Sequence, residues 1–256
     1  MTEALFVAKY GTTSVTNGEG MDQRRLDAYA ENLANVTSEY GLIIVSSGAM
    51  LTGKYFLEQL KGRHATATDE TLATIGSSHV VTAWQSAFRP HGRLVGQILV
   101  THHELDDPEE SNKLETSLLD SLRVGVVPVV NENDALSDRE LAKIAYGGDN
   151  DGLASHVAQR MGAHVLCIFT DVDGLYSGTE LVPVVHATAE EQAKARAAAT
   201  HTQATKSSRP SGMPYKVDAA IKAANAGIST YIAHANADVE AVLSGTAGTH
   251  FEPQQF

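Results

Sequence analysis

Residues 123–134 read RVGVVPVVNEND. A glycine closes a segment of helical spacing, a run of valines follows at once, and the run ends in a cluster of Asn, Glu and Asp. Glycine past a helix end adopts the left-handed backbone that satisfies the last carbonyls. An apolar run that does not alternate reads as a strand covered on both faces. The same order recurs in EYG-LIIVS-SGA, PHG-RLVGQILV-THHE, RMG-AHVLCIF-TDVDG and NAG-ISTYIA-HAN, at Gly41, Gly92, Gly162 and Gly227. Helix then strand, repeated, requires parallel strands joined by helical crossovers.

The intervening segments carry helical stripes: Leu26, Tyr29, Leu33, Val36 and Tyr40; Leu114, Leu118 and Leu122; Leu153, Val157 and Met161. With LFVAK near the start, at least six strands are expected in an α/β fold with a mostly parallel sheet. Such sheets bind ligands beyond the carboxyl ends of their strands. That rule selects Lys9–Ser14, Ser46–Ala49, Thr101–Glu104, Asn131–Asp134 and Thr170–Gly174.

Composition narrows the function classes. The 256 residues are 43% hydrophobic and 6% aromatic, enough for one large core or one core with a small lobe. The net charge of −12 and the lack of a basic run argue against nucleic acid and anionic membranes as partners. The single cysteine, Cys167, lies in VLCIF, permits no intrachain disulfide and suits a cytoplasmic location. The start MTEALFVAKY lacks the pattern of a secretory signal, and no run is long enough for a membrane span. Residues 184–211 break the helix–strand pattern, with a first half that could be helical and a Thr/Ser-rich, mobile second half. Residues 245–256 are expected to be a surface tail.

Several clusters carry possible chemistry, each with a plainer reading. AKYGTTS after the first strand could cradle a phosphate, with Lys9 neutralising charge and Gly11 and Thr12 in the turn; alternatively Lys9 is a solvated loop lysine. In VSSGA, Ser46 or Ser47 could simply cap a helix. GAMLTGK, residues 48–54, has the glycine and lysine spacing of a Walker A loop, but Tyr55 follows where Ser or Thr must hold Mg²⁺. It reads better as the first turns of a helix. Asn131, Asn133 and Asp134, with Asp149, Asn150 and Asp151 opening a helix, form two polar triplets that one helix cap cannot explain. Thr170 and Asp171 could hold a ribose or purine edge, or the segment could be a plain Asp-Gly turn. In SGMPYK, Pro214 suits a first helical turn and Lys216 could reach a phosphate or be solvated. His102 and His103, placed on a strand, would point apart, so neither is taken as a metal ligand.

Taken together and in order, VVPVVNEND, GGDNDGLASHVA and FTDVDGLYSG resemble the amino acid kinase superfamily, and within it the glutamate 5-kinase group, from about Phe6 to about Phe251. The resemblance implies a three-layer α/β/α sandwich around a mostly parallel sheet. It implies transfer of a phosphoryl group from ATP, with Mg²⁺ between the phosphates, to the side-chain carboxylate of L-glutamate. Lys9 and Lys216 would flank the transferred group, with Asp151 holding both. Ser47, Asp134 and Asn150 would bind L-glutamate, with Gly48 and Asn131 beside them. Lys9, Gly11, Thr12, Thr170, Asp171, Gly212, Met213 and Lys216 would contact the nucleotide. It further implies a homo-oligomer, dimer or tetramer. Residues 1–256 would form one kinase domain without the C-terminal PUA domain of many relatives, and 187–213 a mobile insertion near the ATP site. One stretch departs from the pattern. Where the family has close to Gly-Thr-Gly-Gly-Met-x-Thr-Lys, this chain has Arg209-Pro210-Ser211-Gly212-Met213-Pro214-Tyr215-Lys216, which leaves open a same-fold kinase for another small acceptor such as aspartate, or a non-catalytic nucleotide or amino-acid sensor.

Overall fold

The computed structural model of the chain describes residues 4–36, 40–62, 64–136, 150–201 and 212–255. In chain order the strands are β1 (Ala4–Tyr10), β2 (Tyr40–Ser46), β3 (Leu94–Val100), β4 (Val126–Glu132), β5 (Val165–Thr170), β6 (Tyr176–Ser177), β7 (Glu180–Leu181), β8 (Val184–Val185), β9 (Ser229–His234) and β10 (Thr249–Phe251). The helices among the described residues are α1 (Thr12–Val15), α2 (Gln23–Val36), α3 (Ala49–Lys61), α4 (Asp69–Phe88), α5 (His102–Asp106), α6 (Pro108–Arg123), α7 (Asn150–Arg160), α8 (Ala189–His201), α9 (Met213–Asn225) and α10 (Val239–Leu243).

Eight strands form one sheet in the order β3-β4-β2-β1-β5-β9-β10-β8, and β6 and β7 form a separate hairpin. All pairings in the large sheet are parallel except β9 with β10. All six strands expected from the sequence are present. Two buried clusters lie on the two faces. One joins Val7, Ile43 and Ile168 to Leu118, Leu153 and Val217 of α6, α7 and α9. The other joins Phe6, Ile44 and Phe169 to Leu26 and Leu33 of α2 and Trp84 of α4. Helices on both faces of a parallel sheet make the three-layer sandwich.

Pro128 sits inside β4 without disrupting it. It stands opposite Gly96 of β3, and the pairing with β2 begins only beyond it, at Val129.

The structure corrects several local expectations. Strand β3 is an edge strand, so Leu94 is 65% exposed and the coverage on both faces does not extend to it. Gly92, Gly125, Gly162 and Gly227 have positive φ past helix ends, whereas Gly41 lies inside β2, as does Tyr40. His102 and His103 belong to α5, not a strand; Thr101 and Glu104 form a reciprocal capping box that starts this helix. Phe251 is buried in β10, so the expected tail contributes an antiparallel strand. Residues 189–201 are helical and 202–211 lie outside the described residues.

Gly53 of GAMLTGK is a packing residue. A Cβ on it would stand 1.8 Å from the Leu72 carbonyl oxygen, and one on Gly76 would stand 1.8 Å from that of Ala49. These glycines let α3 and α4 touch backbone to backbone. The Walker-like spacing is therefore a helix contact, and residues 49–61 are helix as the sequence indicates.

Candidate active site

The carboxyl ends of the parallel strands converge on one rim. Lys9 lies one residue before the end of β1, level with Val45 of β2 and Ile168 of β5. Chain order reverses around β1, since β2 lies on one side and β5 on the other. That is where an α/β sheet opens a crevice.

Asp151, at the first turn of α7, is the centre of the site. Its Oδ1 lies 2.6 Å from Lys9 Nζ and its Oδ2 2.8 Å from Lys216 Nζ, and all three residues are buried. Burial pushes the Asp151 carboxyl up, but the ammonium groups of Lys216 and Lys9 outweigh it and hold the group well below the usual carboxylate range. Asp151 is therefore ionised at neutral pH. Two cations and one anion leave the trio with one net positive charge in a buried place, which suits an anionic ligand. Lys216 arrives from the first turn of α9. That helix starts at Gly212, whose φ of 129° demands glycine, and Pro214 occupies its opening turn. Met213 is buried beside it. One glycine of the family stretch is thus kept where the backbone requires it; Arg209, Pro210 and Ser211 lie outside the described residues.

A second set lies on the β2 side. Asn150 Nδ2 donates to Ser47 Oγ at 2.7 Å and to Asn131 Oδ1 at 2.9 Å. An amide NH₂ can only donate, so both partners accept. Ser47 then keeps its hydroxyl hydrogen, and Asn131 its own NH₂, as donors to a ligand. A rim that offers donors suits a carboxylate. Gly48 follows Ser47 with φ 108° and caps α3 without a side-chain bond, so neither Ser46 nor Ser47 is the cap residue. Asp134 stands half-buried in the turn past β4. Asp149 lies outside the described residues.

The remaining candidates line the β1 and β5 tips. Gly11 follows β1 and Thr12 opens α1; a Cβ on Gly11 would stand 3.5 Å from Lys9 Nζ. Thr170 Oγ1 donates to Asp171 Oδ1 at 3.1 Å at the end of β5, so these two engage each other.

Sequence reasoning missed the groups that hold the rim in place. Arg25 Nη1 donates to the Thr13 carbonyl at 2.9 Å and Tyr29 Oη to that of Ser14 at 3.1 Å, so α2 grips the short helix α1 by its carbonyls. Trp84 Nε1 donates to Ser46 Oγ at 2.9 Å. A buried indole needs an acceptor, but only the folded chain shows which one. Cys167 is buried and its thiol is pushed up by that burial, in keeping with a packing role.

The profile described as the Amino acid kinase family matches residues 4–234. The chain belongs to the amino acid kinase family. Among its relatives, Glutamate 5-kinase of Myxococcus xanthus is 35% identical over a 259-position alignment that covers 96% of this chain and 66% of that protein. Glutamate 5-kinase of Nocardia farcinica is 34% identical over a 254-position alignment that again covers 96% of this chain and 66% of that protein. This amino acid kinase chain thus spans just under two thirds of the length of these curated relatives. Among solved structures, Carbamate kinase from Giardia lamblia bound to AMP-PNP superposes with TM-score 0.66 at 15% identity, covering 98% of this chain and 99% of that one. At that identity the likeness speaks for the amino acid kinase fold alone. No described helix is long and apolar enough to cross a membrane.

Proposed function

We propose that this chain transfers the γ-phosphoryl group of ATP to the side-chain carboxylate of L-glutamate, giving ADP and L-glutamyl 5-phosphate, the first step of proline biosynthesis. The observation that carries the reading is the Lys9–Asp151–Lys216 trio beside the donor-bearing Ser47–Asn150–Asn131 set. Similarity to glutamate 5-kinases over 96% of the chain supports the choice of acceptor.

A carboxylate oxygen of L-glutamate attacks the γ-phosphorus, and the bond to the β,γ-bridging oxygen breaks as ADP leaves. The nucleophile is already ionised at neutral pH, so no base has to remove a proton. What remains is alignment and neutralisation of spreading charge. Lys9 and Lys216 supply fixed positive charge to the phosphoryl oxygens. Asp151 holds the two ammonium groups at their spacing and is not itself the nucleophile. Ser47, Gly48, Asn131, Asp134 and Asn150 take L-glutamate. Gly11, Thr12, Thr170, Asp171, Gly212 and Met213 take the nucleotide.

Mg²⁺ bound with ATP would supply further positive charge to the phosphate oxygens, and Asp151, committed to the two lysines, would not be its ligand. We read the chain as one kinase domain acting in the cytoplasm as a dimer or tetramer; light scattering on the eluting protein checks the assembly.

An acceptor panel tests the function. ADP release at saturating MgATP should rise with L-glutamate and respond far less to L-aspartate or bicarbonate. No stimulation by L-glutamate would overturn the proposal.

A further inference from the structure

The acceptor side of the rim is held from behind by a buried relay that starts on α4. Trp84 Nε1 donates to Ser46 Oγ at 2.9 Å, and Ser46 Oγ donates to the Ser47 carbonyl at 3.2 Å. The Ser47 N–H donates to the Tyr10 carbonyl at 3.1 Å. Both backbone groups of Ser47 are therefore engaged. Its chain then leaves through Gly48 at φ 108°, where an added Cβ would press within 3.1 Å of Val15 Cγ2. Ser46 and Trp84 are fully buried. The indole is itself immobilised, with its ring centroid 5.4 Å from Tyr10 and 6.0 Å from Phe88. Tyr10 in turn stacks on Tyr29 and Phe169, each at 4.7 Å.

A serine hydroxyl has one hydrogen. The Trp84 N–H occupies a lone pair of Ser46 Oγ, and the hydrogen is committed to the Ser47 carbonyl. Ordinary packing would need neither bond in this geometry. A Phe in place of Trp84 with an Ala in place of Ser46 would remove both side-chain polar atoms at the cost of a small cavity.

We propose that Trp84 and Ser46 are positioning residues for the acceptor: they fix the backbone of Ser47, and so aim its hydroxyl, whose oxygen is held by the Asn150 amide, at the substrate carboxylate. This rests on the reading of the Ser47–Asn150–Asn131 set as the L-glutamate site. The relay lies on the β2 side of β1, whereas Thr170 and Asp171 lie on the β5 side, so its loss should affect the acceptor and spare ATP.

The test compares Trp84→Phe, Ser46→Ala and the double variant with the parent, by KM for L-glutamate, KM for MgATP and thermal midpoint. Trp84→Phe removes the bond to Ser46 Oγ, and Ser46→Ala removes both that bond and the one to the Ser47 carbonyl. The expected result is a rise of about tenfold in KM for L-glutamate in all three variants, with KM for MgATP within about twofold of the parent. Ser46→Ala should also lower the midpoint, because it leaves the indole N–H buried without an acceptor. The double variant should recover much of that loss while its KM for L-glutamate stays high. A role in stability alone would restore both together, and that result overturns the proposal. An equal rise in both KM values also overturns it. Should Trp84→Phe fail to fold, Ser46→Ala decides by the same two KM values. Absence of L-glutamate-dependent ADP release in the parent would instead refute the acceptor assignment, and the relay proposal with it.

Discussion

At the residue scale, Asp151 concentrates the consequences. In an unfolded chain an aspartate ionises near about 3.9. In the folded protein the two ammonium groups hold it well below that, against the opposing effect of burial. A depressed carboxyl contributes stability that is complete above the unfolded value and is lost as pH falls toward the folded one. Asp151→Asn should therefore cost about 3–5 kcal/mol at neutral pH, because two buried ammonium groups lose the carboxylate they share. The gap between parent and variant should shrink as pH is lowered from about 5 toward 2. Denaturant melts across that range measure it, and a gap independent of pH would show that the ion pairs contribute nothing. Lys216→Ala should lower kcat by about a hundredfold or more while changing KM for L-glutamate little, since its charge matters most when charge spreads in the transition state. Steady-state kinetics separates this from the reverse pattern, which would make Lys216 a general binding group.

At the element scale, the contact between α3 and α4 depends on two glycines rather than on side chains. A methyl group at Gly53 or Gly76 would stand 1.8 Å from a backbone oxygen that no rotamer change can move. Gly53→Ala and Gly76→Ala should each destabilise by at least the upper part of the usual overpacking range of about 1–3 kcal/mol, read as a lower denaturation midpoint. Because Trp84 lies on α4, separation of these helices should also raise KM for L-glutamate. The helix–strand order of these elements was legible because each helix end carries its own chemistry, a glycine free to turn left-handed. The strand β3 was misjudged for an equally physical reason. An apolar run such as RLVGQILV does not say whether a neighbour lies beyond it, and edge position is a property of the assembled sheet. His102 and His103 read as a continued strand from their apolar neighbours, whereas the Thr101–Glu104 capping box starts a helix there.

At the scale of the whole molecule, the site joins residues far apart in sequence: Lys9, Ser47, Asn131, Asn150, Asp151 and Lys216 meet because parallel strands end on one side. Polar tips following apolar runs made most of those positions legible, and the family resemblance supplied their roles. The partners behind the rim were not legible. Trp84 lies 38 positions from Ser46, and nothing in the helix that carries it names its acceptor. The antiparallel strand at Thr249–Phe251 is not legible in the sequence because a three-residue strand has no readable period. The chain as a whole carries a charge of −12, yet the trio at the rim is net positive, so attraction of an anionic substrate must be local.

The central claim concerns the bond that is made. Acyl phosphates react with hydroxylamine to give hydroxamates, whereas simple hydrolysis of ATP gives none. Incubation of the chain with MgATP, L-glutamate and hydroxylamine should yield γ-glutamyl hydroxamate in proportion to ADP, with none when L-glutamate or ATP is withheld. ADP release without hydroxamate would contradict phosphoryl transfer to the carboxylate.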